Sequence, residues 1–139
     1  MEGFNELFEI IVVLARRRYQ TAERHFTAMG LNHTEARLLT LLGDAGGAAP
    51  QDALSGRLII DRSNAGRGLK RLEQTGYLIR RKDGGDKRAN RVEITAKGRA
   101  AVREIAMLRD RIARDFFGAL REDEARTAVA LLRKALPES

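Results

Sequence analysis

Between Asp61 and Thr95 the spacing of apolar residues changes from a helical to an alternating period, and few architectures accommodate that change. Ala65, Leu69 and Leu72 recur at three- and four-residue steps. This predicts a helix over Arg62–Thr75, with Asp61 as its N-cap and Gly76 just past its end. Two strand-like pieces follow, Leu78–Lys82 and Arg91–Thr95, the second with Val92 and Ile94 alternating with polar neighbours. The polar connection Asp83-Gly84-Gly85-Asp86-Lys87-Arg88-Ala89-Asn90 reads as the tip of a β-hairpin.

Helical segments flank this unit on both sides. Gly3–Met29 carries Phe4, Phe8, Ile11, Ala15, Tyr19, Ala22, Phe26 and Met29 on one stripe, and Leu7, Ile10, Val13 and Leu14 make its first half apolar nearly all round. A monomer's surface helix needs only one buried face, so this one implies a second copy of the chain. Asn32-His33-Thr34-Glu35 has the form of a capping box and opens a short helix over Glu35–Leu42. Gly43–Ala49 reads as a loop, and Pro50 suits the first turn of another short helix with Leu54 and Leu58 inward. Thr95 caps a long helix to about Phe117, carrying Val102, Ile105, Leu108, Ile112 and Phe116. A last helix, about Glu122–Leu136, has Ala125, Val129, Leu132 and Leu136 on one face.

Charge locates the working surface. The net charge is +7, and between Arg57 and Arg91 there are eleven basic and four acidic residues, so the whole excess lies there; the rest has fifteen of each. Such confinement suits a surface that meets a polyanion. The absence of cysteine excludes disulfides, thiolate metal sites and thiol redox switches. The apolar run Ile10–Ala15 follows glutamates, precedes Arg16–Arg18 and is too short to span a bilayer, so the expectation is a soluble, cytoplasmic protein with no membrane partner.

Three helices before a hairpin follow the helix-turn-helix plan, in which the last enters the major groove of duplex DNA. Facing away from its apolar side are Arg62, Ser63, Asn64, Arg67, Lys70 and Arg71. Asn and Arg can pair with adenine and guanine edges, while the later basic residues suit phosphates. Lys87 and Arg88 on the hairpin tip are candidates for the minor groove, with Asp86 placed to orient a guanidinium.

From Leu31 to Gly98 the chain resembles the MarR family of winged-helix regulators. The resemblance rests on Leu-x-x-x-Glu-Ala-Arg-Leu-Leu at Leu31–Leu39, Leu54 and Leu58, and Asp61-Arg62-Ser63. It continues through Arg67, Leu72-Glu73, Gly76-Tyr77-Leu78-Ile79-Arg80, Asp86-Lys87-Arg88 and Thr95-Ala96-Lys97-Gly98. It implies a mainly α fold with a small β-hairpin wing, a winged helix-turn-helix core over 31–98 flanked by dimerisation helices over 1–30 and 99–139. It further implies a homodimeric transcription regulator, a repressor on a pseudo-palindromic operator, which a small-molecule effector can release. The reading-helix contacts become Arg62, Ser63, Asn64 and Arg67, the wing arginine Arg88, and its support Asp86. Gly66 and Gly68 depart from the family pattern and suggest a locally softer helix; Arg121 stands where the family prefers a Ser-type cap.

Enzyme motifs are missing: the chain has no phosphate-cradling loop, no His-Glu-x-x-His and no Gly-x-Ser-x-Gly, and no cofactor is expected. His25 and His33 read as surface or capping residues and Met29 and Met107 as core filler; Arg16–Arg18 and Tyr19 read as packing or solvated residues, with a share in an effector crevice as the alternative the resemblance offers. No effector residue is assigned. Two alternatives stay open from sequence alone: a winged-helix module for protein or RNA, and a chiefly small-ligand-binding protein.

Overall fold

In the computed structural model, which describes residues 1–59, 62–82 and 90–138, each long apolar stripe is a helix. Helix α1 spans Glu2–Ala28, α5 Ala96–Phe116 and α6 Glu122–Arg133. Between α1 and α5 lie α2 (His33–Asp44), β1 (Ala48–Pro50), α3 (Gln51–Gly56), α4 (Ala65–Gln74), β2 (Leu78–Lys82) and β3 (Asn90–Ile94).

Local chemistry sets most of the boundaries. Asn32 Oδ1 accepts the Glu35 amide at 2.8 Å, and Glu35 Oε1 accepts the Asn32 amide at 2.8 Å, which completes the capping box of α2. Thr95 Oγ1 accepts the Gly98 amide at 3.1 Å at the start of α5. Gly76 turns the chain out of α4 at φ +85°, a left-handed conformation that favours glycine. At α6 the cap works without a hydroxyl residue, because Glu124 Oε1 accepts the Arg121 amide at 2.9 Å. That helix ends at Arg133, short of the expected Leu136.

Two expectations need correction here. Gly43–Ala49 is no simple loop: α2 continues through Asp44, and Ala48–Pro50 is a third strand. It pairs antiparallel with β3 (Ala49 opposite Val92), giving the sheet order β1-β3-β2. An Ala-Ala-Pro strand has no β-branched or aromatic signal, so only its pairing reveals it. The helix expected from Arg62 begins as a 3₁₀ turn over Arg62–Asn64 and becomes α-helical at Ala65. Ser63 and Asn64 favour such turns over helix interiors, and Arg62 Nε fixes this one by donating to the Leu58 carbonyl at 2.6 Å. Asp61 lies outside the described residues.

The core is built around α2. Leu38, Leu39 and Leu42 are fully buried against Leu54, Leu58, Leu69, Leu72, Leu78 and Val92; Ala22 and Phe26 of α1 and Ala101 and Ile105 of α5 join the same cluster. Each such leucine contributes about 1.5–3 kcal/mol on burial. The base of the hairpin is fastened to α5: Thr95 Oγ1 donates to the Gly76 carbonyl at 2.6 Å and Lys97 Nζ to the Thr75 carbonyl at 2.6 Å. Gly98 permits this closure, since a Cβ there would overlap the Tyr77 carbonyl oxygen.

The first half of α1 and the outer face of α6 pack on little else in the chain. Phe4 and Phe8 are 69% and 73% exposed, and Leu7, Ile11, Val12, Leu131 and Leu132 are exposed with them. Met107, expected in the core, is 71% exposed; Met29 packs against the core as expected.

Candidate nucleic-acid interface

Helix α4 packs on α2 through Ala65, Gly68, Leu69 and Leu72, all buried, so its opposite face is turned to solvent. Of the residues singled out from sequence, Arg62, Ser63, Arg67, Lys70 and Arg71 are exposed and Asn64 is half-buried. Gln74, one turn beyond Lys70, belongs to the same exposed stripe. The sequence reading omitted it, although the helical step that located Lys70 finds it, and a glutamine can pair with adenine.

Partners divide these side chains. Arg62 is held by the Leu58 carbonyl, and Arg71 Nε stands 3.3 Å from Oε2 of the buried Glu35. Arg67 and Lys70 make no ion pair among the described residues. In the hairpin, Arg80 donates from Nη2 (2.9 Å) and Nε (3.2 Å) to Glu73 Oε1, tying β2 to α4. These hydrogen bonds hold the Glu73 carboxyl below its usual pKa, so the tie is complete above the carboxylate range and weakens as pH falls through it. Arg81 pairs with Glu93 at 3.3 Å. The wing candidates Asp86, Lys87 and Arg88 lie outside the described residues.

Folding therefore trims the excess charge counted along the sequence. Glu35 and Glu93 come from outside the 57–91 segment and neutralise Arg71 and Arg81. Unpaired cations among the described residues of that segment are Arg57, Arg62, Arg67, Lys70, Lys82 and Arg91.

The two unusual glycines have different environments, and α4 runs unbroken through both. A Cβ at Gly68 would lie 2.9 Å from Cδ1 of Leu38, a fully buried side chain, whereas a Cβ at Gly66 would meet nothing within 4 Å. Gly66→Ala should thus raise stability by up to about 1 kcal/mol through helix propensity. Gly68→Ala should gain nothing or lose stability, because Leu38 has no room to retreat. Thermal unfolding of the two variants checks this contrast.

A second feature lies between α1, α2 and α5. A cavity of about 110 Å³ is lined by Phe26, Ile105, Ile112 and Phe116 together with Arg18, Arg37 and Arg109. Burial lowers the Arg37 pKa, and the neighbouring Arg109 and Arg18 guanidinium groups lower it further. None of the three forms an ion pair among the described residues. Arg18 lines this cavity, and Tyr19 packs as expected, its ring tilted against that of His33 with centroids 4.7 Å apart. His33, expected at the surface or in a cap, is buried at the α1–α2 contact, where Phe26 also faces it.

Among the described residues no His, Asp and Glu cluster could hold a metal ion, and no helix is long and apolar enough to cross a membrane.

Comparison with known proteins agrees with this geometry. Residues 29–89 match the model of the MarR family. The uncharacterized HTH-type transcriptional regulator YkoM of Bacillus subtilis (strain 168) is 36% identical over 107 residues, covering 76% of this chain and 68% of YkoM. Among solved structures, a mutant MarR from E. coli complexed with operator DNA superposes with a TM-score of 0.81 at 21% identity, over 97% of this chain and 96% of that one. The organohalide-sensing transcriptional regulator RdhR-CbdbA1625, in its 2,4-dichlorophenol-bound form, gives a TM-score of 0.82 at 18% identity, over 97% and 80%. The relatives are transcription regulators rather than enzymes, and a helix-turn-helix with a hairpin wing between long terminal helices is the fold they share with this chain: it belongs to the MarR family of winged helix-turn-helix transcription regulators.

Proposed function

We propose that the chain is a homodimeric repressor that binds a pseudo-palindromic operator, with α4 in the major groove. The observation that carries this reading is the exposed stripe Ser63, Arg67, Lys70 and Gln74, set opposite a buried face on α2. A helix about 10–12 Å across fits a groove about 12 Å wide, and the stripe offers hydroxyl, guanidinium, ammonium and carboxamide groups to base edges and phosphates. Arg62, Asn64 and Arg71 flank it. Lys87 and Arg88 of the wing complete the interface in the minor groove, with Asp86 orienting Arg88. The relative bound to operator DNA supports the same use of the fold. Two-fold pairing through α1 and α6 covers the apolar surface these helices expose.

The cavity beside Arg18, Arg37 and Arg109 serves as the effector site in this reading. Its apolar wall and crowded guanidinium groups suit a small ligand with an aromatic or aliphatic body and an acidic group. A relative's dichlorophenol-bound form supports a ligand of this size. Sequencing the genomic fragments retained by the purified protein tests the DNA reading. A recurring pseudo-palindrome is the expected outcome; retention without any shared sequence, or of structured RNA instead, would contradict it.

A further inference from the structure

Capping α2 does not exhaust what the Glu35 carboxylate does. Its Oε1 is engaged by the Asn32 amide, but Oε2 is buried and accepts no hydrogen bond among the described residues; the cation facing it is Arg71, with Nε at 3.3 Å. The two side chains differ sharply in exposure, 1% for Glu35 and 61% for Arg71. A surface ion pair between two mobile chains loses most of its attraction to the cost of ordering both. Here the anion is already fixed by the reciprocal hydrogen bonds of the capping box, so only the arginine has to be ordered. A buried carboxylate oxygen also requires a compensating charge, which gives the guanidinium a defined seat.

Gly68, one turn before Arg71, lies at the same contact between α2 and α4, where a Cβ would stand 2.9 Å from Leu38 Cδ1. The seat opens onto a polar cleft of about 430 Å³ beside α4, which Arg67 and Asn64 also line. The other acid in that cleft, Glu23, is occupied by the His33 amide, which its Oε2 accepts at 2.9 Å.

We propose that Glu35 is a positioning residue for DNA binding: it anchors Arg71 through Nε, so that the remaining guanidinium N–H groups are held ready for a backbone phosphate beside the groove. The inference rests on the DNA-binding reading above. It predicts an effect opposite in sign to simple electrostatics. Removing an anion close to DNA should tighten binding by relieving repulsion, whereas removing an anchor should weaken it, because the arginine must then be ordered during binding.

Glu35→Gln separates the two, since its amide oxygen can still accept the Asn32 amide and keep α2 capped. The experiment measures full-length variants on a duplex carrying a retained fragment, from 50 to 200 mM salt (roughly the range over which phosphate contacts register). Glu35→Gln should weaken binding about two- to tenfold, the effect of ordering one long side chain. Arg71→Ala should weaken it and lower the salt slope by about one unit. Glu35→Gln made in the Arg71→Ala background should leave affinity unchanged or raise it. Binding by Glu35→Gln as tight as wild type, or tighter, overturns the proposal, as does a loss that persists without Arg71. If Glu35→Gln fails to fold, Arg71→Lys decides: it keeps the charge but has a single nitrogen, which cannot sit against Glu35 and also present a planar fork to a phosphate, so it should bind more weakly with a nearly unchanged salt slope. Affinity equal to wild type would overturn the anchor. Wild-type protein that binds no duplex removes the DNA reading and this inference together, which distinguishes that failure from a normal wild type beside an unaffected Glu35→Gln.

Discussion

Phe8→Asp should yield a protein that no longer dimerises at micromolar concentration, or one that aggregates. Phe8 is 73% exposed in the single chain and lies on a helix whose first half also exposes Phe4, Leu7, Ile11 and Val12. Monomeric proteins rarely leave so much contiguous apolar surface in water. Covering one phenylalanine is worth about 1.5–3 kcal/mol. A two-fold interface contains the residue twice, so the lesion should cost about 3–6 kcal/mol of dimer stability, roughly two to four orders of magnitude in the dissociation constant. The introduced carboxylates, if buried, add to that loss. Met107→Asp on α5 tests whether that exposed methionine belongs to the same interface. Light scattering with sedimentation measures the outcome. A wild-type chain that stays monomeric and folded at that concentration would contradict the pairing outright.

Loss of the dimer should also remove tight operator binding while leaving weak single-unit binding. Two linked half-site contacts reinforce each other through a high effective concentration, and separate chains lack it. The effect is concentration-dependent, which distinguishes it from damage to α4 itself.

Much of this organisation is legible in the sequence because it depends on local rules. The capping box at Asn32–Glu35, Thr95 as a cap, Gly76 beyond α4 and the presence of the two strands β2 and β3 follow from residue types at short spacing. The stripe on α4 likewise follows from its period, with Gln74 the member missed. What escapes depends on tertiary approach. Strand β1 exists because β3 offers it an edge, and three residues without β propensity do not announce that. Glu35 reads as a capping residue alone, since nothing in one dimension places Arg71 beside it. The same limit hides Gly68, whose packing against Leu38 turns an apparent helix weakness into a contact between α2 and α4. It also hides the arginine-lined cavity, whose members come from three helices far apart in the chain. Met107 fails for a different reason: two residues from Ile105, it lies on the side of α5 away from the stripe of Val102, Ile105, Leu108 and Ile112, where helical period places exposed residues.

If α4 reads base sequence, Arg67 is the side chain whose removal should show it. Arg67 is exposed on the open face of α4 and has no ion-pair partner among the described residues, so its guanidinium is available for a bidentate contact to guanine. Arg67→Ala should then cost about 1–3 kcal/mol on a duplex carrying the operator, roughly five- to 150-fold in affinity, and much less on a random duplex. Lys70→Ala provides the contrast: a phosphate contact should be lost about equally on both duplexes, with the salt slope lowered by about one unit. The decisive measurement is the ratio of operator to random-duplex affinity for wild type and Arg67→Ala, taken at one salt concentration. The ratio should fall by at least about fivefold; an unchanged ratio in a folded, dimeric variant would show that Arg67 does not read bases.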